Sequence, residues 1–130
     1  MVTLSDEAFD AACAIYDARK RFETDMANFN EDLTYKTTPW FVEARPHFEV
    51  FFRSWRVDPD KVCPAIEEHG LHGPFLAHDD YWGERRKLKR LKSWRVWSPG
   101  DVCMTPALSK TEAQRIQFML NWIWAISFGA

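Results

Sequence analysis

The stretch SWRVDPDKVCPA at residues 54–65 has a near copy at residues 93–107, SWRVWSPGDVCMTPA. In both copies an identical Ser-Trp-Arg-Val is followed by a proline, then by a Val-Cys pair, and then by Pro-Ala. Agreement in three ordered elements is too extensive for chance in a chain of 130 residues, so the copies indicate an internal repeat. Two copies are too few for a solenoid, which needs three or more units.

The residues before the first copy suggest what the repeat builds. Apolar side chains there follow the i, i+3, i+4, i+7 spacing of a helix, at Phe48, Phe51, Phe52 and Trp55. Each copy is therefore interpreted as a helix end, a proline turn and the start of the next helix. We accordingly expect a duplicated helix-corner unit at residues 47–70 and 85–115.

Both ends of the chain also read as helices. Ser5 is a plausible N-cap for a long first helix, about residues 5–33, whose apolar side chains keep the helical period. Ser109 and Glu112 fit a capping box that opens an apolar last helix, about residues 109–128. That helix is apolar nearly all round after Phe118, which is typical of a helix in a core or an interface.

The fold class expected from these patterns is all-α. A further helix is predicted from Asp79 or Asp80 to about Val96, with Leu88, Leu91 and Trp94 on its apolar side. No stretch is interpreted as a strand. The prediction is one compact domain, residues 1–130, of four to five helices, with the repeat-containing body at residues 40–107.

Composition favours a cytoplasmic protein. The three cysteines form no CxxC pair, which disfavours a disulfide scaffold. The acidic N-terminus lacks the pattern of a signal peptide. The most apolar stretch, Met119–Ala130, is shorter than the ~20 residues that a spanning helix needs, so no membrane association is expected.

Charge is unevenly distributed. Residues 85–95, here called the basic segment, hold seven of the seventeen basic residues and no acid. The rest of the chain has ten basic and nineteen acidic residues. Such an uneven charge distribution is informative about binding partners and not about the fold. The candidate partner-binding residues are Arg85, Arg86, Lys87, Lys89, Arg90, Lys92, Arg95 and Trp97.

These features predict that the chain is a small non-enzymatic binding protein, such as an inhibitor, an adaptor or an assembly subunit. It would dock a basic helix face onto an acidic surface of a protein or nucleoprotein partner. Direct nucleic-acid binding by the same segment is the first alternative. A helix-turn-helix is disfavoured, because the connections in the two copies exceed the usual three or four residues. The segment could also be a solvated face paired with the acidic first helix. A homodimer through the N-terminal or C-terminal helix is a further expectation.

A second cluster has the side chains of a metal site. Imidazole, thiolate and carboxylate groups are the ligands that zinc and other transition metals prefer. Their spacing here matches no metal signature, and HExxH is absent, so a metal-dependent enzyme is only an alternative and no cofactor is expected by default. The candidate ligands are Cys63, His69, His72, His78, Asp79 and Asp80.

Overall fold

The computed structural model describes residues 5–29, 38–80 and 92–128. Within these ranges the chain forms four α-helices, one short 3-10 helix and three strands. The helices are α1 (Asp6–Phe29), α2 (Thr38–Arg53), α3 (Cys63–His69) and α4 (Lys110–Phe128), and the 3-10 helix (Pro59–Lys61) precedes α3. The strands are β1 (Leu76–Asp79), β2 (Trp94–Ser98) and β3 (Val102–Cys103).

The all-α prediction is wrong, because the three strands form an antiparallel sheet in the order β1-β2-β3. The helix predicted from Asp79 or Asp80 to Val96 is also wrong, because Asp79 ends strand β1 and Val96 is in strand β2. Residues 81–91, in the middle of that predicted helix, lie outside the described residues. In β2 the side chains of Val96 and Ser98 are buried while Trp97 between them is partly exposed. This alternation is the period of a strand with one buried face.

The predicted duplication is also wrong, because the two copies of Ser-Trp-Arg-Val have different conformations. In the first copy the turn after α2 continues its hydrogen bonding, with Trp55 N–H donating to the Phe52 carbonyl. In the second copy Trp94 N–H and C=O both bond to Leu108, and the chain is strand β2. Neighbouring backbone groups, and not the tetrapeptide, decide the conformation.

Both helix starts suggested by the capping residues are present. The N–H of Ala8 donates to Ser5 Oγ at 3.2 Å, and α1 begins at Asp6. The N–H of Glu112 donates to Ser109 Oγ at 3.2 Å, and α4 begins at Lys110. The predicted end of the first helix near residue 33 lies outside the described residues.

The core lies among α1, α2 and α4, with further buried side chains from α3, β2 and the connecting loops. Helix α1 approaches α2 through small side chains, among them Ala8, Ala11 and Ala12, all of them buried. Helix α2 contributes large aromatic rings that contact one another: Phe41, Phe48, Phe51 and Phe52. Small residues on one helix let the large rings of the other approach closely. No helix within the described ranges combines the length and apolarity needed to cross a bilayer.

The sheet is joined to α4 by two amide side chains. Asn121 Oδ1 accepts the N–H of Phe75 at 2.6 Å, and Asn121 Nδ2 donates to the Phe75 carbonyl at 2.9 Å. One turn earlier, Gln117 Oε1 accepts the N–H of Ala77. These side chains satisfy backbone groups at the edge of β1 as a neighbouring strand would. The β1 edge is therefore bonded to a helix.

Replacing Asn121 with Leu should lower the free energy of unfolding by about 1–3 kcal/mol, because the part-buried N–H and C=O of Phe75 lose their partners. Urea unfolding followed by circular dichroism measures this loss. The control is Gln114→Ala, at an exposed position of α4, which should stay within about 0.5 kcal/mol of the parent. Equal effects of the two substitutions would contradict the anchoring role.

Candidate functional site

One face of the sheet is turned toward solvent. The register pairs Leu76 with Trp97, His78 with Arg95, and Trp97 with Cys103, so these five side chains share one face. All five are exposed or partly exposed, and Leu76 is 58% exposed. The opposite face carries buried Val96 and Ser98. We call the solvent-facing set Leu76, His78, Arg95, Trp97 and Cys103 the outer face.

A single carboxylate organises the outer face. Asp80 Oδ1 lies 2.8 Å from His78 Nδ1, and Asp80 Oδ2 accepts the indole N–H of Trp97 at 3.0 Å. The Asp80 side chain is only 19% exposed, so both bonds are partly shielded from water. The carboxylate thus holds a histidine and a tryptophan in fixed orientations on the same surface.

The basic segment joins the sheet beside this face. The N–H of Asp80 donates to the Ser93 carbonyl at 3.0 Å, and Ser93 Oγ donates to Asp79 Oδ1 at 2.7 Å. These bonds lie one step beyond the last pair of the β1–β2 ladder, Asp79 with Trp94. Asp80 and Ser93 are therefore paired at one end of the ladder.

The structure describes only part of the predicted partner-binding set. Arg95 and Trp97 are on the outer face, and Lys92 precedes β2. Among the described residues Arg95 has no ion pair, whereas the Lys92 ammonium lies 3.6 Å from Glu112 Oε1. Lys92 is thus partly engaged within the chain. The remaining candidates lie outside the described residues: Arg85, Arg86, Lys87, Lys89 and Arg90.

Glu112 joins three elements near this site. Its Oε2 accepts a hydrogen bond from Lys61 Nζ at 2.6 Å, and Oε1 lies near Lys92. The hydrogen bond from Lys61 lowers the pKa of Glu112 below its ordinary value, and the charges of Lys61 and Lys92 add to this effect. The same side chain stands at the third position of α4, where an acid favours the helix dipole.

The candidate metal ligands are not gathered into one centre. Cys63 is buried in α3, and burial raises the pKa of its thiol to about 12, which disfavours the thiolate that a metal requires. His69 lies near Glu68, and His72 is exposed with a pKa lowered by partial burial and by the charge of Arg19. Only His78 and Asp80 are within hydrogen-bonding distance of each other.

Asp79 Oδ1 accepts a hydrogen bond from Ser93 Oγ. In the part of the chain that the structure describes, no three His, Cys, Asp or Glu side chains come together in a way that could hold a metal ion.

Two residues of the outer face were not predicted as such from the sequence: His78 was considered only as a metal ligand, and Leu76 was not selected. Alternation of side chains along β1 was the available signal, but four residues are too few for it to stand out.

No protein-family model, curated protein or solved structure matches this chain.

Stability should depend on the ionisation of Glu112. Because its pKa is lowered in the folded state, the contribution is fully present above the ordinary value of 4.5 and is lost as pH falls through the folded-state pKa. Glu112→Gln should therefore be less stable than the parent at pH 7, and the difference should shrink on going to pH 3. Urea unfolding at both values, with Glu7→Gln as an exposed control, measures it. A difference that stays constant between these values would contradict the assignment.

Proposed function

We propose that this chain is a non-enzymatic binding protein whose outer face and basic segment dock onto an acidic surface of a partner protein. The observation that carries the proposal is the joint position of Arg95 and Trp97 on the solvent-facing side of the sheet, beside the end of the ladder where the basic segment is attached. The proposal covers an inhibitor, an adaptor or an assembly subunit, and it includes partners that are part of a nucleoprotein complex.

The outer face has the chemistry of a protein-binding hot spot. Tryptophan and arginine are the residues most enriched at such spots, and Leu76 adds apolar area beside them. Because Asp80 already holds the Trp97 indole, little side-chain freedom is lost when a partner covers it. This preorganisation helps a small surface such as the outer face to bind, because less side-chain freedom is lost on binding.

Charge supports an acidic partner. Arg95 has no ion pair among the described residues, so its charge is available to a partner group. The basic segment adds six more cations with no acid among them, while the rest of the chain has nine more acids than bases. A positive region on an otherwise acidic protein orients it toward an acidic surface and raises the rate of encounter.

A cytoplasmic location is part of this proposal. All three cysteines are free thiols, and Cys13 is exposed on α1. Free, exposed thiols are compatible with a reducing compartment, where disulfides are rare.

Direct nucleic-acid binding is the second candidate function. An exposed antiparallel sheet with an aromatic ring and an arginine is a surface on which unpaired bases stack. Trp97 beside Arg95 provides that combination. The acidic remainder of the chain disfavours the extended phosphate contacts that nucleic-acid wrapping needs, whereas docking on a protein needs only a local surface.

The test is affinity capture from the native host with the parent chain and with Lys89→Glu/Arg95→Glu. We expect the parent to recover a partner with an acidic surface, and the double variant to bind the purified partner at least about tenfold more weakly, because two attractive charges become repulsive. Lys92 is left unchanged because it contacts Glu112. Lys20→Glu, at an exposed position of α1, is the control and should bind the partner like the parent.

A nuclease-treated extract and a labelled single strand separate the two functions. Recovery that survives nuclease, with no retention of the strand at about 100 mM salt, supports a protein partner. Binding of the strand that falls steeply with salt and is lost in Lys89→Glu/Arg95→Glu supports the second function and contradicts the first. Equal partner affinity of the parent and the double variant would exclude the outer face and basic segment as the interface.

A further inference from the structure

Aromatic side chains from α1, α4 and the turn after α2 form a second surface, away from the sheet. Phe9 of α1 contacts Trp122 of α4 edge to face, with ring centroids 6.5 Å apart. One turn earlier on α4, Phe118 stacks on Trp55, which follows α2, at 4.7 Å and 8°. The order Phe9, Trp122, Phe118, Trp55 runs from α1 across α4 to the end of α2, and we call it the aromatic strip.

The aromatic strip is incompletely covered by the chain itself. Phe9 is 53% exposed and Phe118 is 37% exposed, while Trp55 and Trp122 are partly exposed. Single exposed apolar residues are ordinary on a protein surface, but two neighbouring pairs of exposed aromatic rings are typical of an interface. The strip therefore leaves aromatic area open to solvent, while Trp55 and Trp122 also pack against the core.

The two ends of the aromatic strip carry opposite charges. Asp6 lies one turn before Phe9 on α1 and is exposed. At the other end, Arg56 follows Trp55 directly, and Arg115 lies one turn before Phe118; both arginines line a surface cleft with Trp55. None of Asp6, Arg56 and Arg115 has an ion pair among the described residues. The strip is therefore acidic at one end and basic at the other.

We infer that the aromatic strip is the interface of a homodimer. In a twofold dimer the same patch meets itself, so a residue at one end of the patch contacts the opposite end of the partner's patch. An axis that crosses the middle of the strip stacks the aromatic rings of two copies. It also places Asp6 of each copy against the arginines of the other. A strip with one acidic and one basic end is complementary to itself in this arrangement.

The dimer leaves the outer face free. On α4, Gln117 and Asn121 are directed toward β1, whereas Phe118 and Trp122 contact Trp55 and Phe9. The two surfaces are thus on different sides of the helix. A dimer would present two outer faces, and a partner with repeated acidic sites would be bound more tightly than by one copy.

Sedimentation equilibrium tests the dimer. The parent chain is expected at twice its 15.3 kDa mass at tens of micromolar. Phe118→Glu should raise the dissociation constant by about 30-fold or more, because a charge replaces a ring at the centre of the interface. Val42→Glu, at a 66% exposed apolar position of α2 outside the strip, is the matched control and should remain dimeric. Circular dichroism checks that each variant is folded.

Charge exchange tests the arrangement itself. Asp6→Arg and Arg115→Glu should each weaken the dimer, because each places like charges together. The double variant restores an opposite-charge pair between positions 6 and 115, with Arg56 unchanged, and should dimerise more tightly than either single variant. The inference is overturned if the parent is monomeric at about 100 μM, or if Phe118→Glu dimerises like the parent. Failure of the double variant to recover would overturn the end-to-end arrangement.

Discussion

The hydrogen-bond pair between Asn121 and Phe75 is the contact on which the rest of the structure depends. One amide side chain donates to a backbone carbonyl and accepts from the N–H of the same residue, as an adjacent strand would. A polar residue in an apolar helix would be costly without such partners. Because of this pair β1 begins at a fixed place on α4, and the ladder register then places β2 beside it.

The position of both proposed surfaces follows from that attachment. With Val96 and Ser98 buried, the alternate side chains Arg95 and Trp97 must be directed outward. The Asp80–Ser93 bond lies at one end of the same sheet, where the described part of the basic segment begins. On another side of α4, the aromatic strip is only partly covered by the rest of the chain. One helix therefore supports the sheet and also contributes to a separate apolar surface.

What could be predicted from the sequence was mainly local. Ser5 and Ser109 marked helix starts because a side-chain cap involves residues only three apart. The sheet was missed because Leu88, Leu91 and Trp94 have helical spacing, and β1 is only four residues long. The pairing of Trp94 with Asp79 and Leu108, and of Asn121 with Phe75, joins residues distant in sequence, which a pattern search does not connect. Arg95 and Trp97 were selected on charge and aromatic character, without their strand context.

Amide hydrogen exchange followed by NMR tests the central claim, that a sheet bonded to α4 holds the outer face in place. A sheet held in this way predicts slow exchange for the amides of Phe75 and Ala77, which donate to Asn121 and Gln117, and for those of Trp94 and Met104, which donate to Leu108 and Val96. It also predicts that Asn121→Leu speeds exchange in β1 while the amides of α2 remain protected. Exchange of Phe75 and Ala77 in the parent chain as fast as in an exposed loop would contradict it.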